Sequence, residues 1–125
     1  MQRITRYLLL LLLSASAAAQ CGTHTPTPGV AHVCLSWVAS VTPPAVASYN
    51  VYRSTTAGGE VYSGAPLANV TTVFYYDSTV TNGTTYYYTI LAVGTGGVLS
   101  APTPEVSALP VPPNAGTSPQ TAAVP

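Results

Sequence analysis

Past residue 20, no segment of this chain repeats its apolar residues at helical spacing. Short runs rich in Val, Tyr, Thr and Ile alternate instead with clusters of Gly, Pro and Asn. A chain patterned this way can close a core only by pairing strands, and several short strands at regular spacing predict a sandwich or barrel. Seven strands are expected: near Thr23–Thr27, at Ala31–Ala39, at Ala47–Ser54, a short one near Glu60–Ser63, at Thr72–Asp77, at Thr84–Gly94 and at Val98–Ala108.

Alternation assigns the faces, because residues two apart on a strand point the same way. Val33, Leu35 and Trp37 share one face; so do Tyr49 and Val51, Val73 and Tyr75, and Tyr86, Tyr88, Ile90 and Ala92. These sets can meet as a core between two sheets, with Trp37 at its centre. The opposite faces of Ala47–Ser54 and Thr84–Gly94 carry Asn50, Tyr52, Tyr87, Thr89, Leu91 and Val93.

The punctuation fits. Gly58-Gly59 and Gly96-Gly97 mark tight turns that need positive φ, and Pro43-Pro44 stiffens the connection before Ala47. Pro102 and Pro104 cannot donate to a ladder, so the last strand is expected at a sheet edge, where proline also discourages edge-to-edge aggregation.

The first nineteen residues read as a secretory signal peptide: Arg3 and Arg6, the apolar run Leu8 to Leu13, then small residues ending in an Ala17-x-Ala19 site. The apolar stretch is too short to span a bilayer, which needs about 20 residues. The expected organisation is therefore a signal peptide at 1–19, one module at 20–109, and a Pro-rich tail or linker at 110–125, whose composition cannot bury enough apolar surface to order itself. Cleavage removes two of three basic residues and leaves Arg53 against Glu60, Asp77 and Glu105, with no lysine anywhere. Nucleic-acid binding needs a basic footprint, which this chain lacks, and electrostatic docking to anionic lipid is not expected on the same ground.

Residues Val33 to Ala108 resemble a fibronectin type III module. The resemblance rests on Leu35-Ser36-Trp37, on Tyr49-Asn50-Val51-Tyr52-Arg53, on Tyr75-Tyr76-Asp77, on Val80-Thr81-Asn82-Gly83-Thr84-Thr85-Tyr86-Tyr87-Tyr88 and on Ala92-Val93, in the family's order and spacing. It implies an all-β, seven-stranded antiparallel immunoglobulin-like sandwich. It also implies a tyrosine corner, in which the Tyr86 hydroxyl bonds a backbone group a few residues upstream. Asn82 stands where the family usually has Pro, and Asn-Gly is itself a good turn former. Tyr-Asn-Val-Tyr-Arg-Ser, the Gly-Gly after it and Tyr-x-Asp are similar to the bacterial branch, whose modules are appended to secreted glycosidases and surface proteins. The loop Gly94-Thr95-Gly96-Gly97 has no Arg-Gly-Asp, so the integrin-binding role of some animal modules does not carry over.

Cys34, between Val33 and Leu35, points away from the core. If the strand near Thr23–Thr27 and the next form a hairpin turning near Thr27-Pro28, Cys21 and Cys34 face each other. A structural disulfide in an oxidising compartment is expected. Two other readings stay open. Cys21 follows Ala18-Ala19-Gln20 and invites comparison with a lipidated N-terminus, although Gln20 fits a lipobox poorly. Cys21, His24, His32 and Cys34 match a zinc set by residue type but not by spacing.

No cofactor is expected and no catalysis. Glu60, Asp77 and Glu105 lie on separate elements, with no carboxylate pair close enough for acid–base work. Asp77 is expected to cap the turn that follows it. Asn69-Val70-Thr71 and Asn82-Gly83-Thr84 match the N-glycosylation sequon, which is without meaning in a bacterial chain. The outward Tyr52, Tyr87 and Leu91 form the candidate ligand-binding face, since contiguous exposed apolar surface marks interaction sites; against that stands the plain fact that Tyr and Thr fill β positions well. The chain thus reads as a secreted, extracellular or periplasmic, non-catalytic binding or spacer module with a protein or polysaccharide partner. The alternative is an accessory carbohydrate-binding module of a polysaccharide-degrading system, a fragment of a longer chain.

Overall fold

The computed structural model describes residues 29–39 and 45–110. Six strands occur among them: β1 (Val33–Ser36), β2 (Val46–Ser54), β3 (Ala68–Val70), β4 (Phe74–Asp77), β5 (Tyr86–Gly94) and β6 (Val106–Ala108). The strand expected near Thr23–Thr27 and the Pro43-Pro44 connection lie outside the described residues, as does the tail from residue 111. All pairings are antiparallel. One sheet is β1-β4; the other runs β3-β2-β5-β6. The long β2–β5 pair is its spine, with Val51 opposite Ile90 and Tyr52 opposite Thr89.

The core lies between the sheets and contains every predicted inward residue. Val33, Leu35, Trp37, Tyr49, Val51, Tyr86, Tyr88, Ile90 and Ala92 are buried in one cluster, with Val73 and Tyr75 packed against it. Trp37 is 2% exposed and meets Tyr49 edge-on, ring centroids 5.3 Å apart. Its amide donates to Val73 O at 2.9 Å, which carries the β1–β4 pairing one residue past the strand. Val80, Val106 and Ala108 complete the cluster.

Three expectations need correction. The short strand after β2 is Ala68–Val70, not Glu60–Ser63: residues 61–64 form a turn closed by Gly64 N–H to Val61 O. The last strand is regular only over Val106–Ala108, because Pro102 and Pro104 each remove a backbone donor from the stretch before it. Isolated bonds hold that stretch alongside β5, from Ser100 N–H to Ala92 O and from Thr103 N–H to Ile90 O, and β6 is indeed an edge. Gly58, Gly96 and Gly97 have positive φ, but Gly59 does not. Gly59 is constrained by space instead: a Cβ there would collide with Ser54 Oγ.

Candidate functional site

Two polar devices fix the end of the sandwich where β4 turns into β5. Asp77 ends β4 fully buried and serves as the expected cap: its Oδ1 accepts the Thr79 amide at 2.9 Å and the Thr79 hydroxyl at 2.7 Å. Its Oδ2 accepts Arg53 Nη1 at 2.7 Å and the Tyr88 hydroxyl at 2.9 Å. Burial alone would raise the Asp77 carboxyl, but the Thr79, Arg53 and Tyr88 bonds together hold it below its ordinary value. Burial, then the Asp77 charge and hydrogen bond, push the Tyr88 phenol far up, so it stays a donor. Beside this node the tyrosine corner forms as expected: the Thr81 amide donates to the Tyr86 hydroxyl at 2.9 Å. The Arg53 guanidinium lies over the Tyr86 ring, 5.0 Å from its centroid. Every group here serves another group of the protein. The node is a clamp.

The outer face of β2 and β5 departs from the expected exposed aromatic patch. Tyr52 and Leu91 are each 4% exposed, and Thr89 only 3%; Tyr87 is half-buried. The candidate face is therefore covered at two of its three residues. Part of the cover comes from residues 55–66, which leave β2, cross its outer side and return as β3. The Tyr62 ring packs edge-on against Tyr52, centroids 5.1 Å apart at 85°, and the Tyr52 hydroxyl donates to Tyr62 O at 3.5 Å. At the segment's start, Gly58 N–H donates to Glu105 Oε2 at 2.7 Å. Burial and the neighbouring Glu105 push the Glu60 carboxyl up. Among the described residues no cluster of three or more His, Cys, Asp and Glu is suited to hold a metal.

Next to this cover, the edge of the sheet carries a row of uncharged polar groups. Asn50 and Asn69 are opposite each other on β2 and β3. Asn69 Nδ2 donates to Ser48 Oγ at 2.9 Å and to Asn50 Oδ1 at 2.8 Å. Asn50 Nδ2 reaches the Tyr52 hydroxyl at 3.5 Å. Asn69 was visible in the sequence only as a sequon. The alternation of Ala68, Asn69 and Val70, two apolar side chains flanking one polar, is the signal that could have found it.

Cys34 lies outside the core cluster, as its place between Val33 and Leu35 predicts, yet it is 2% exposed, since alternation gives direction and not exposure. Among the described residues no cysteine is free; Cys21 and His24 lie outside them. His32 stacks on Tyr76 at 4.9 Å, with Nδ1 3.2 Å from Val30 O.

No family model matches the chain. An 82-residue stretch, 66% of the chain, is 48% identical to part of an amylopullulanase of Thermoanaerobacter thermohydrosulfuricus, and the match covers 5% of that protein. Among solved structures, an Fn3-like protein from Clostridium thermocellum superposes with a TM-score of 0.51 at 33% identity, over 64% of this chain and 85% of that one. A β-1,2-glucanase from Parabacteroides distasonis matches with a TM-score of 0.60 at 19% identity, over 86% of this chain and 13% of the glucanase. The sixth fibronectin type III domain of human fibronectin type III domain containing protein 3 matches with a TM-score of 0.55 at 13% identity, over 87% of this chain and 88% of that domain. The last two speak to the fold alone.

Proposed function

On the premise that this chain belongs to the fibronectin type III family, we propose that it is a secreted, non-catalytic binding or spacer module that works beside polysaccharide-degrading enzymes. The observation that carries this reading is the 48% identity to a stretch making up 5% of an amylopullulanase. A segment that small beside a large enzyme is an accessory by size. The polar clamp at Asp77 agrees, because its donors and acceptors satisfy one another and leave no group poised to attack or to transfer a proton. Purified protein incubated with pullulan and soluble starch should release no reducing sugar above the buffer blank. Hydrolysis that scales with protein concentration and survives repurification would contradict the reading.

Secretion belongs to the same proposal and is supported by Arg3, Arg6, the leucine run and Ala17-x-Ala19. So does a bond between Cys34 and Cys21, the chain's other cysteine. A disulfide closing a loop of that size contributes about 3 kcal/mol in the chain-entropy model. Mass spectrometry of the exported, unreduced protein should find a chain starting at Gln20 and lighter by two hydrogens than its reduced form. Two free thiols, or a lipid on Cys21, would overturn the disulfide.

A second reading, an accessory carbohydrate-binding module, is favoured by the same amylopullulanase match. It differs in requiring a sugar-binding surface.

A further inference from the structure

We propose that the outer edge of β2 and β3, formed by Ser48, Asn50 and Asn69 and continued by the Tyr62 ring, is a binding strip for a neutral glucan chain. This rests on the carbohydrate-binding reading and gives it a place.

The side chains have the right chemistry. A neutral glucan offers hydroxyls, which donate and accept, and apolar C–H faces, which stack on aromatic rings. The strip offers both partners and no charge. Of the charged side chains among the described residues, Arg53 and Asp77 engage each other, and Glu105 accepts the Gly58 amide at 2.7 Å, with Glu60 as its neighbour.

The strip is also held in advance. Both hydrogens of Asn69 Nδ2 are used within the protein, on Ser48 and Asn50. This fixes the amide plane and leaves Asn69 Oδ1, on an exposed residue, as an acceptor facing water. Asn50 Nδ2 has only the long contact to the Tyr52 hydroxyl, so it retains a donor for a ligand. Tyr62 as a residue is 37% exposed, while its edge-on partner Tyr52 is 4% exposed. A ring anchored at one edge and open at the other needs little ordering when a sugar stacks on it. Groups already fixed in the free protein lose little freedom on binding.

The occupant follows from charge and from kinship. An anionic polymer or peptide would find no cation on the strip, and a cationic one no carboxylate at the asparagines. The relative with 48% identity is named for acting on a neutral glucan.

The test is affinity electrophoresis of the full chain in gels containing pullulan, with soluble starch and a polymer-free gel alongside. Wild type should be retarded by pullulan, equally at low and at raised salt, since a neutral ligand is not screened. Tyr62→Ala and Asn69→Ala should each weaken retardation at least tenfold while keeping a wild-type circular dichroism spectrum. Asn69→Ala is the more secure of the two, because its side chain is exposed on an edge strand. Retardation of wild type with both variants unchanged would overturn the strip and leave the carbohydrate reading standing. Failure of wild type to bind either polymer would overturn the strip and the carbohydrate reading together, and would leave the spacer reading, which the hydrolysis assay tests separately.

Discussion

The two faces of β2 and β5 are built from the same two strands, yet they close in different ways. The inner face meets β1 and β4, whose own alternation is complementary, and the result is one apolar cluster around Trp37, Tyr49, Val51, Tyr88 and Ile90. The outer face is met in part by residues 55–66, an irregular segment held by Tyr62 on Tyr52 and by Gly58 on Glu105. Strand alternation can announce the first kind of closure, since period-two patterning is its cause. It cannot announce the second, because a crossing segment has no period.

The sharpest way to break this comparison is Trp37→Ala on the inner face. Truncating a buried aromatic costs about 3–5 kcal/mol, against about 5–15 kcal/mol for a whole domain. The variant should be marginal or unfolded in urea titrations; a melting point within a few degrees of wild type would dissolve the inner core as described.

The clamp at the end of the sandwich comes next. Asp77→Ala leaves the buried Tyr88 hydroxyl and the partly exposed Arg53 without their acceptor, and the loss of hydrogen bonds to a charged group should cost about 2–3 kcal/mol. The same carboxylate sets a pH dependence. Its folded value lies below its ordinary one, so its stabilisation is complete above the unfolded carboxylate range and is lost as pH falls through the depressed folded value. Wild-type melting temperature should fall on acidification, and the Asp77→Ala variant should lose most of that slope.

Tyr52→Ala sharpens the comparison directly. On an exposed face it would be nearly neutral. Buried under Tyr62 it should cost about 2–3 kcal/mol, toward the lower end for buried large-to-small changes. Tyr86→Phe is smaller, about 1–2 kcal/mol, because it removes only the acceptor of the Thr81 amide. Tyr87→Phe should be within about 0.5 kcal/mol of wild type, as surface changes usually are. If Tyr86→Phe and Tyr87→Phe exchanged ranks by denaturant midpoint, β5 would be out of register by one residue.

The sequence made the inner face legible to the residue, and with it the fibronectin type III fold. Asn82 stands in for the family's proline without loss of the tyrosine corner, and Gly83, where the family also has Gly, has the positive φ of the turn. The outer face was legible only as a direction. Tyr52 and Leu91 do point outward, but which chain segment lies over them depends on the path from β2 to β3. That path has no strand at Glu60–Ser63, where the sequence predicts one; the chain turns there instead. The Asn50–Asn69 pair depends on the same step, because two polar residues nineteen apart meet only once Ala68–Val70 is placed on the sheet edge.

The cover over the outer face can be observed without any mutation. In NMR spectra of the full chain, nuclear Overhauser effects should connect the ring protons of Tyr52 and Tyr62, 5.1 Å apart by centroid. The Gly58 amide, bonded to Glu105, should exchange with deuterium more slowly than the neighbouring turn amide of Ala57. Absence of ring-to-ring effects together with unprotected exchange at Gly58 would mean that residues 55–66 stand away from the sheet, and that Tyr52 faces solvent.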